Sequence, residues 1–349
     1  MKATISPKLL ALVFANSLWP GISVQVAAAS EDHHEATFTV IDLPGARFTG
    51  AHGINSACKI AGFYGDPVES GGMIHGFLLD RGAFTSIDFP GATFTSAPGI
   101  NDRGDIVGRE VSADGTSHGY LFSRGQFTSI DFPEAMLTFT RAINSRGDIV
   151  GNYRSADGVT HGFLLSCNRF TSFDVPGASF TAAYGINARG DIVGLYDNSA
   201  GTHGFLLRGG EFTTIDIPGA TFTEARGINA AGEIVGSFRS ADNVTHGYLL
   251  SEVELSSIDF PGTTGGTNAS GINARGDIVG IFCDAEPCQI NSLDQHGFLL
   301  SREDDGRNND GGEANTGAVD PGDRCLMDMF VVRVRGPVEL PHRIGRALD

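Results

Sequence analysis

The pentad Phe-Thr-x-Ile-Asp returns along this chain at a nearly fixed step, and that constrains the fold more than any other feature. Its first residue is Phe38, Phe84, Phe127, Phe170 (with Phe173 in place of Ile), Phe212 and Leu255, at intervals of 46, 43, 43, 42 and 43 residues. Gly-Ile-Asn keeps the same step, beginning at Gly53, Gly99, Ala142, Gly185, Gly227 and Gly271. Gly-Asp-Ile-Val-Gly starts at Gly104, Gly147, Gly190, Gly232 (with Glu233) and Gly276, and its first copy is reduced to Cys58-Lys59-Ile60-Ala61-Gly62. His-Gly-Phe/Tyr-Leu completes the set at His75, His118, His161, His203, His246 and His296. Repeats of this period are supersecondary units that bury their apolar faces only against one another.

Turn chemistry separates the boxes, so each reads as a short strand. Ile-Asn-x-x-Gly suits a type I turn, Ser-Ala-Asp-Gly (112–115, 155–158) and Arg-Gly (81–82, 124–125) suit hairpins, and Pro-Gly-Ala suits a type II turn into the next copy. Four antiparallel strands in about 43 residues is the size of a propeller blade. Both faces of the strands read as apolar, as they must where each sheet is sandwiched between neighbours. The chain begins its repeats with a lone pentad strand (38–42) and ends them with the other three strands (271–301). These incomplete ends add up to one unit, and joining them removes exposed sheet edges. The expected fold is an all-β, six-bladed β-propeller over 38–301, closed by the N-terminal strand.

The joint pattern Gly-Ile-Asn, Ile-Val-Gly, His-Gly-Phe over 38–301 resembles bacterial extracellular repeats of the HAF type. That resemblance implies an exported, propeller-like repeat protein without an assigned chemistry.

Residues 1–29 read as a cleavable signal peptide, with basic Lys2 and Lys8, an apolar Leu9–Trp19 and a small-residue end at Ala27-Ala28-Ala29. A short leader (30–37) follows, and the protein is expected outside the cytoplasm without a membrane span. Within the leader, His33 and His34 among Glu31, Asp32 and Glu35 read as a solvated polar terminus rather than a metal site. Residues 302–349 read as a mostly disordered acidic tail, with Met327–Val334 apolar enough for a strand. A calcium loop at Gly306-x-Asn308-x-Asp310-Gly311 lacks an acid at its first position and Glu at its twelfth, so no cofactor or metal is expected.

A formal charge of −17 opposes binding to nucleic acid or an anionic membrane. No nucleophile elbow, zinc-protease helix or phosphate loop is present in the sequence. The repeated histidines, and the pentad acids Asp42, Asp88, Asp131, Asp174, Asp216 and Asp259, read as a structural hydrogen-bond network, because a residue needed once for chemistry has no reason to recur in every copy. No catalytic set is assigned. Cys283 and Cys288 bracket a short loop and are expected to form a disulfide, whereas Cys58 and Cys167 are expected as free thiols.

The connection between Ile-Val-Gly and His-Gly is longest in copies one and six, which a closed ring makes neighbours. Its acids, Asp66, Glu69, Asp284, Glu286 and Asp294, are therefore the candidate ligand site, on a rim favouring a cation, a basic protein or a glycan. The leading expectation is a secreted, monomeric binding or scaffold protein. The alternative is a carbohydrate-active hydrolase or lyase, which needs paired carboxylates at the channel mouth. Tyr64, Tyr120, Tyr153, Tyr184, Tyr196 and Tyr248 are its available stacking platforms, since the only tryptophan, Trp19, lies in the signal segment.

Overall fold

A computed structural model describes residues 36–67, 72–252, 254–284, 294–302 and 333–334. Among them every regular element is a strand, so no helix is long and apolar enough to cross a membrane. The first full copy shows how the boxes become a unit. Phe48–Ile54 pairs antiparallel with Ile60–Gly65, which pairs with Ile74–Asp80, which in turn pairs with Ala83–Ile87. Gly-Ile-Asn thus ends the first strand and the pentad forms the fourth. The next four copies repeat this order, and two pairs of units are bridged by single parallel pairs, Ile74 with Phe94 and Thr160 with Phe180.

The turns follow their residues. Arg81 and Gly82, at φ 50° and 79°, both lie in the left-handed region, as the two central residues of a type I′ hairpin must. Gly108 shows why glycine ends the Ile-Val-Gly box. A Cβ there would sit against the Ser96 carbonyl, so the first two strands approach only without a side chain.

The sixth unit is assembled from both ends of the repeat region. Thr267–Ile272, Ile278–Cys283 and Gln295–Arg302 are joined by Ala36–Ile41, which pairs antiparallel with Gln295–Arg302 from Ala36↔Arg302 to Ile41↔Gly297. Arg333–Val334 pairs outside that strand, with Phe38 and Thr39, so the tail contributes a fifth strand rather than staying wholly apart. The lone Ala36–Ile41 strand presents unpaired backbone groups on its outer side, and this pairing satisfies some of them.

Apolar clusters lie between successive copies. Ala61 of copy one packs with Ile87, Ile100, Ile106 and Tyr120 of copy two and its boundary. Ile41, Val279 and Leu299 of the last unit pack with Ile54, Ile60 and Phe77 of the first. One expectation needs correcting. Fourth strands such as Ala83–Ile87 are largely exposed rather than apolar on both faces. Such a fourth strand pairs on one side only, with the third strand of its unit, so it lies at an edge with less cover.

The cysteines also differ from expectation. Cys58 is disulfide-bonded, not free, and Cys167 is a free but exposed thiol. Both sit in surface turns at positive φ (59° and 50°), where a thiol is accessible to a partner rather than sealed in the core. Cys283 is disulfide-bonded. Cys288, Cys325, Glu69, Glu286, His33, His34 and the 306–311 loop lie outside the described residues.

Candidate functional site: a cavity where six first strands converge

The asparagine of Gly-Ile-Asn is the most constant side chain of the inner end. In copy two, Asn101 Oδ1 accepts the backbone N–H groups of Arg103 and Asp105, holding the turn that a backbone carbonyl would otherwise close. Its Nδ2 reaches the next copy and donates to the Asn144 carbonyl at 3.2 Å. The same handover runs Asn55 to Asn101, Asn144 to Asn187, Asn187 to Asn229 and Asn229 to Asn273, and then Asn273 to Asn55 at 3.3 Å. Each of these asparagines is buried.

Three residues before that row, regularity stops. His52, Pro98, Arg141, Tyr184, Arg226 and Ser270 occupy one position in six copies, and all six line a partly open cavity of about 270 Å³. Phe63, Phe94, Phe139 and Arg109 add to its wall. Glycine just after this row lets neighbouring strands approach. A Cβ on Gly271 would stand 2.4 Å from the His52 carbonyl, and one on Gly99 2.7 Å from the Arg141 carbonyl.

The cavity is cationic although the chain is acidic. The Arg109 guanidinium lies 4.4 Å from the Phe94 ring centre and 4.7 Å from that of Phe139. Arg141 lies over Phe139 at 5.4 Å and Tyr184 at 5.1 Å, with its Nε 3.4 Å from Asn152 Oδ1. Arg226 donates from Nε to Glu224 Oε1 at 2.6 Å, and Ser237 also donates to that carboxylate. Burial, then the charge of Arg141, pulls Arg109 down to about 10, and burial also lowers Arg141. Burial works against Arg226 too, but the Glu224 charge, Tyr184 and the Glu224 hydrogen bond together raise it. His52, stacked on Phe63 at 4.9 Å, is driven down to about 3 by burial and then by Arg226 and Arg141, so it is neutral at pH 7. Its Nε2 and the Ser270 hydroxyl are buried without a hydrogen-bond partner among the described residues.

The repeated His/Asp pairs lie elsewhere, on the periphery. Each histidine Nδ1 meets the pentad aspartate of its own unit: His75–Asp88, His118–Asp131, His161–Asp174, His203–Asp216, His246–Asp259 and His296–Asp42, at 2.6–2.9 Å. The aspartates are about half exposed, so the pairs brace the surface rather than buried turns. Five of the histidines also stack on a strand neighbour, as His161 does on Tyr153 at 5.1 Å.

The rim candidates divide. Asp66 takes His75 Nε2 at 3.1 Å, and Asp284 lies 3.6 Å from His296 Nε2, so each faces its own copy's histidine. Asp284 and Asp294 are tied by a backbone hydrogen bond of 3.1 Å. Among the described residues no group of three His, Cys, Asp or Glu side chains is gathered to hold a metal. The strand register sets Asp66, beyond Gly65, at the Phe48 end of its unit, opposite the asparagine row. Of the six tyrosines only Tyr184 lines the cavity, while Tyr120 and Tyr248 are wholly buried. The cavity was readable in one place, the residue before each Gly-Ile-Asn, which varies within the most regular box.

No family model matches the chain, and no curated protein matches it. Solved structures resemble its fold. AofleA from Arthrobotrys oligospora is similar at 11% identity and a TM-score of 0.48, over 78% of this chain and 88% of that one. The fucose-specific lectin from Aleuria aurantia is similar at 10% identity and 0.40, over 75% and 90%. The β-propeller domain of the Trilobed protease from Pyrococcus furiosus is similar at 9% identity and 0.42, over 73% and 97%. At these identities the likeness is of fold and not of chemistry.

Proposed function

We propose that the chain is an exported HAF-type repeat protein, a closed six-bladed β-propeller that binds a small ligand in its central cavity without transforming it. Closure is supported by the asparagine handover from Asn273 back to Asn55 and by the pairing of Ala36–Ile41 with Gln295–Arg302. Export is supported by the 1–29 segment and by disulfide-bonded Cys58 and Cys283, which suit an oxidising compartment.

The observation that carries the binding reading is the non-repeating row, His52 to Ser270, lining one cavity inside units that share their strand and turn boxes. A rigid repeat scaffold that varies where its strands converge can present one asymmetric surface. Binding is favoured over hydrolysis because no carboxylate lines the cavity among the described residues, and Glu224 is committed to Arg226 and Ser237. The rim acids of copies one and six remain the second contact surface.

The test is a screen of glycans and small organic acids against the full chain and against Ser270→Phe, which fills the cavity. A ligand lost on that substitution, with the circular dichroism spectrum unchanged, supports the cavity. One retained at equal affinity moves the site to the rim, and turnover of any screened compound defeats the non-enzymatic reading.

A further inference from the structure

Arg109 and Arg141 both approach the Phe139 ring, and neither has a carboxylate within ion-pair distance among the described residues. Arg226, by contrast, has Glu224. Two cations gathered in one recess without ion-pair partners of their own are costly, and the cost falls when an anion binds beside them. The planar guanidinium fork matches a carboxylate in bidentate geometry. Phosphate also carries negative charge, but this recess is walled by Phe63, Phe94, Phe139 and Tyr184, which call for a carbon body.

Copies one and six add His52 Nε2 and Ser270 Oγ to the same cavity, both buried and without a hydrogen-bond partner among the described residues; Ser270 is only 7% exposed. Unused donors and acceptors of this kind discriminate strongly for a ligand that satisfies them. A neutral imidazole and a hydroxyl are suited to alcohol groups rather than to a second charge. At about 270 Å³ the cavity falls just under the roughly 300–1,000 Å³ of drug-sized sites, which suits one sugar-sized molecule.

We propose that the cavity recognises a small hydroxylated carboxylate of sugar-acid size, its carboxylate on Arg109 and Arg141 and its hydroxyls toward His52 and Ser270. This rests on the cavity being the binding site. The test measures binding of D-glucuronate, D-galacturonate and D-gluconate to the full chain by calorimetry, beside D-glucose and inorganic phosphate. At least one of the three carboxylates is expected to bind, with glucose and phosphate at least about 10-fold weaker. Arg109→Gln is expected to weaken that binding by about 10- to 100-fold while leaving the melting temperature unchanged or raised, because it removes an uncompensated cation. A merely structural arginine would lower the melting temperature instead.

No binding by any of the three carboxylates overturns the proposal, as does equal binding of glucose, tighter binding of phosphate, or indifference to Arg109→Gln. A neutral ligand abolished by Ser270→Phe but untouched by Arg109→Gln would defeat the carboxylate and leave the cavity site standing. A carboxylate that binds Ser270→Phe unchanged would defeat both.

Discussion

Two rows of side chains, three residues apart on the same six strands, have opposite characters. One is asparagine in every copy, from Asn55 to Asn273, each closing its own turn and reaching into the next unit. The other reads His, Pro, Arg, Tyr, Arg, Ser around the cavity. The constant row answers a demand that every copy makes, namely satisfaction of backbone groups that are buried where strands converge. The varied row answers no such demand, and its His52 Nε2 and Ser270 Oγ have no hydrogen-bond partner among the described residues. Uniformity here marks structure, and the break in uniformity marks the proposed site.

The hardest blow to this pairing is loss of the strand that joins the ends. A chain lacking 36–41 leaves Gln295–Arg302 with an open edge and strips Phe38 and Ile41 from the two clusters that join the last unit to its neighbours. Denaturation and light scattering are expected to show collapse of the cooperative transition and aggregation. Retention of the full-length melting temperature would mean that the constant row does not depend on closure.

Next in size is a direct contrast between the rows. Asn144→Ala removes acceptors for the Arg146 and Asp148 N–H groups and donors to Asp148 and the Asn187 carbonyl, and is expected to cost about 3 kcal/mol. Ser270→Ala removes a hydroxyl that has no partner among the described residues and is expected to change stability by less than about 0.5 kcal/mol. Equal losses in chemical denaturation would erase the distinction.

The two rows were not equally legible in the sequence. Strand boxes, turn positions and the sharing of one unit between the chain ends followed from period and turn chemistry, because those act within a few residues. The His/Asp register was readable for the same reason, each pair within one copy being 13 residues apart along two adjacent strands. The cavity was not read. Loop length drew attention to copies one and six, while the informative variation was one side chain wide. The net charge of −17 spoke against polyanionic partners and concealed Arg109, Arg141 and Arg226, because a whole-chain sum says nothing about which charges converge.

Acid sets a third test. His52 is depressed in the fold, so below about 6.5 the unfolded chain takes a proton that the native cavity refuses. Its contribution is fully present above pH 6.5 and is lost as pH falls toward about 3. His52→Gln is expected to flatten the decline in melting temperature between pH 6.5 and 4. An unchanged decline would assign acid sensitivity to other groups.

The smallest effect belongs to the periphery and has the opposite sign. His296 is raised above its usual value by its hydrogen bond to Asp42, against a burial penalty, with Asp284 adding to the increase. A histidine raised in the fold contributes stability that is complete below about 6.5 and disappears as pH climbs through the folded value. The pair is partly exposed and solvent screens it, so the contribution is expected to stay within about 1 kcal/mol. Asp42→Asn keeps the shape of the side chain and removes the charge, and should narrow the difference between melting temperatures at pH 5.5 and pH 8.5. Because the His52 window lies below about 6.5 and this one above it, a single pH series on both variants separates cavity from periphery. If Asp42→Asn instead moved the acid limb, the two regions would be coupled and the division between scaffold and site would fail.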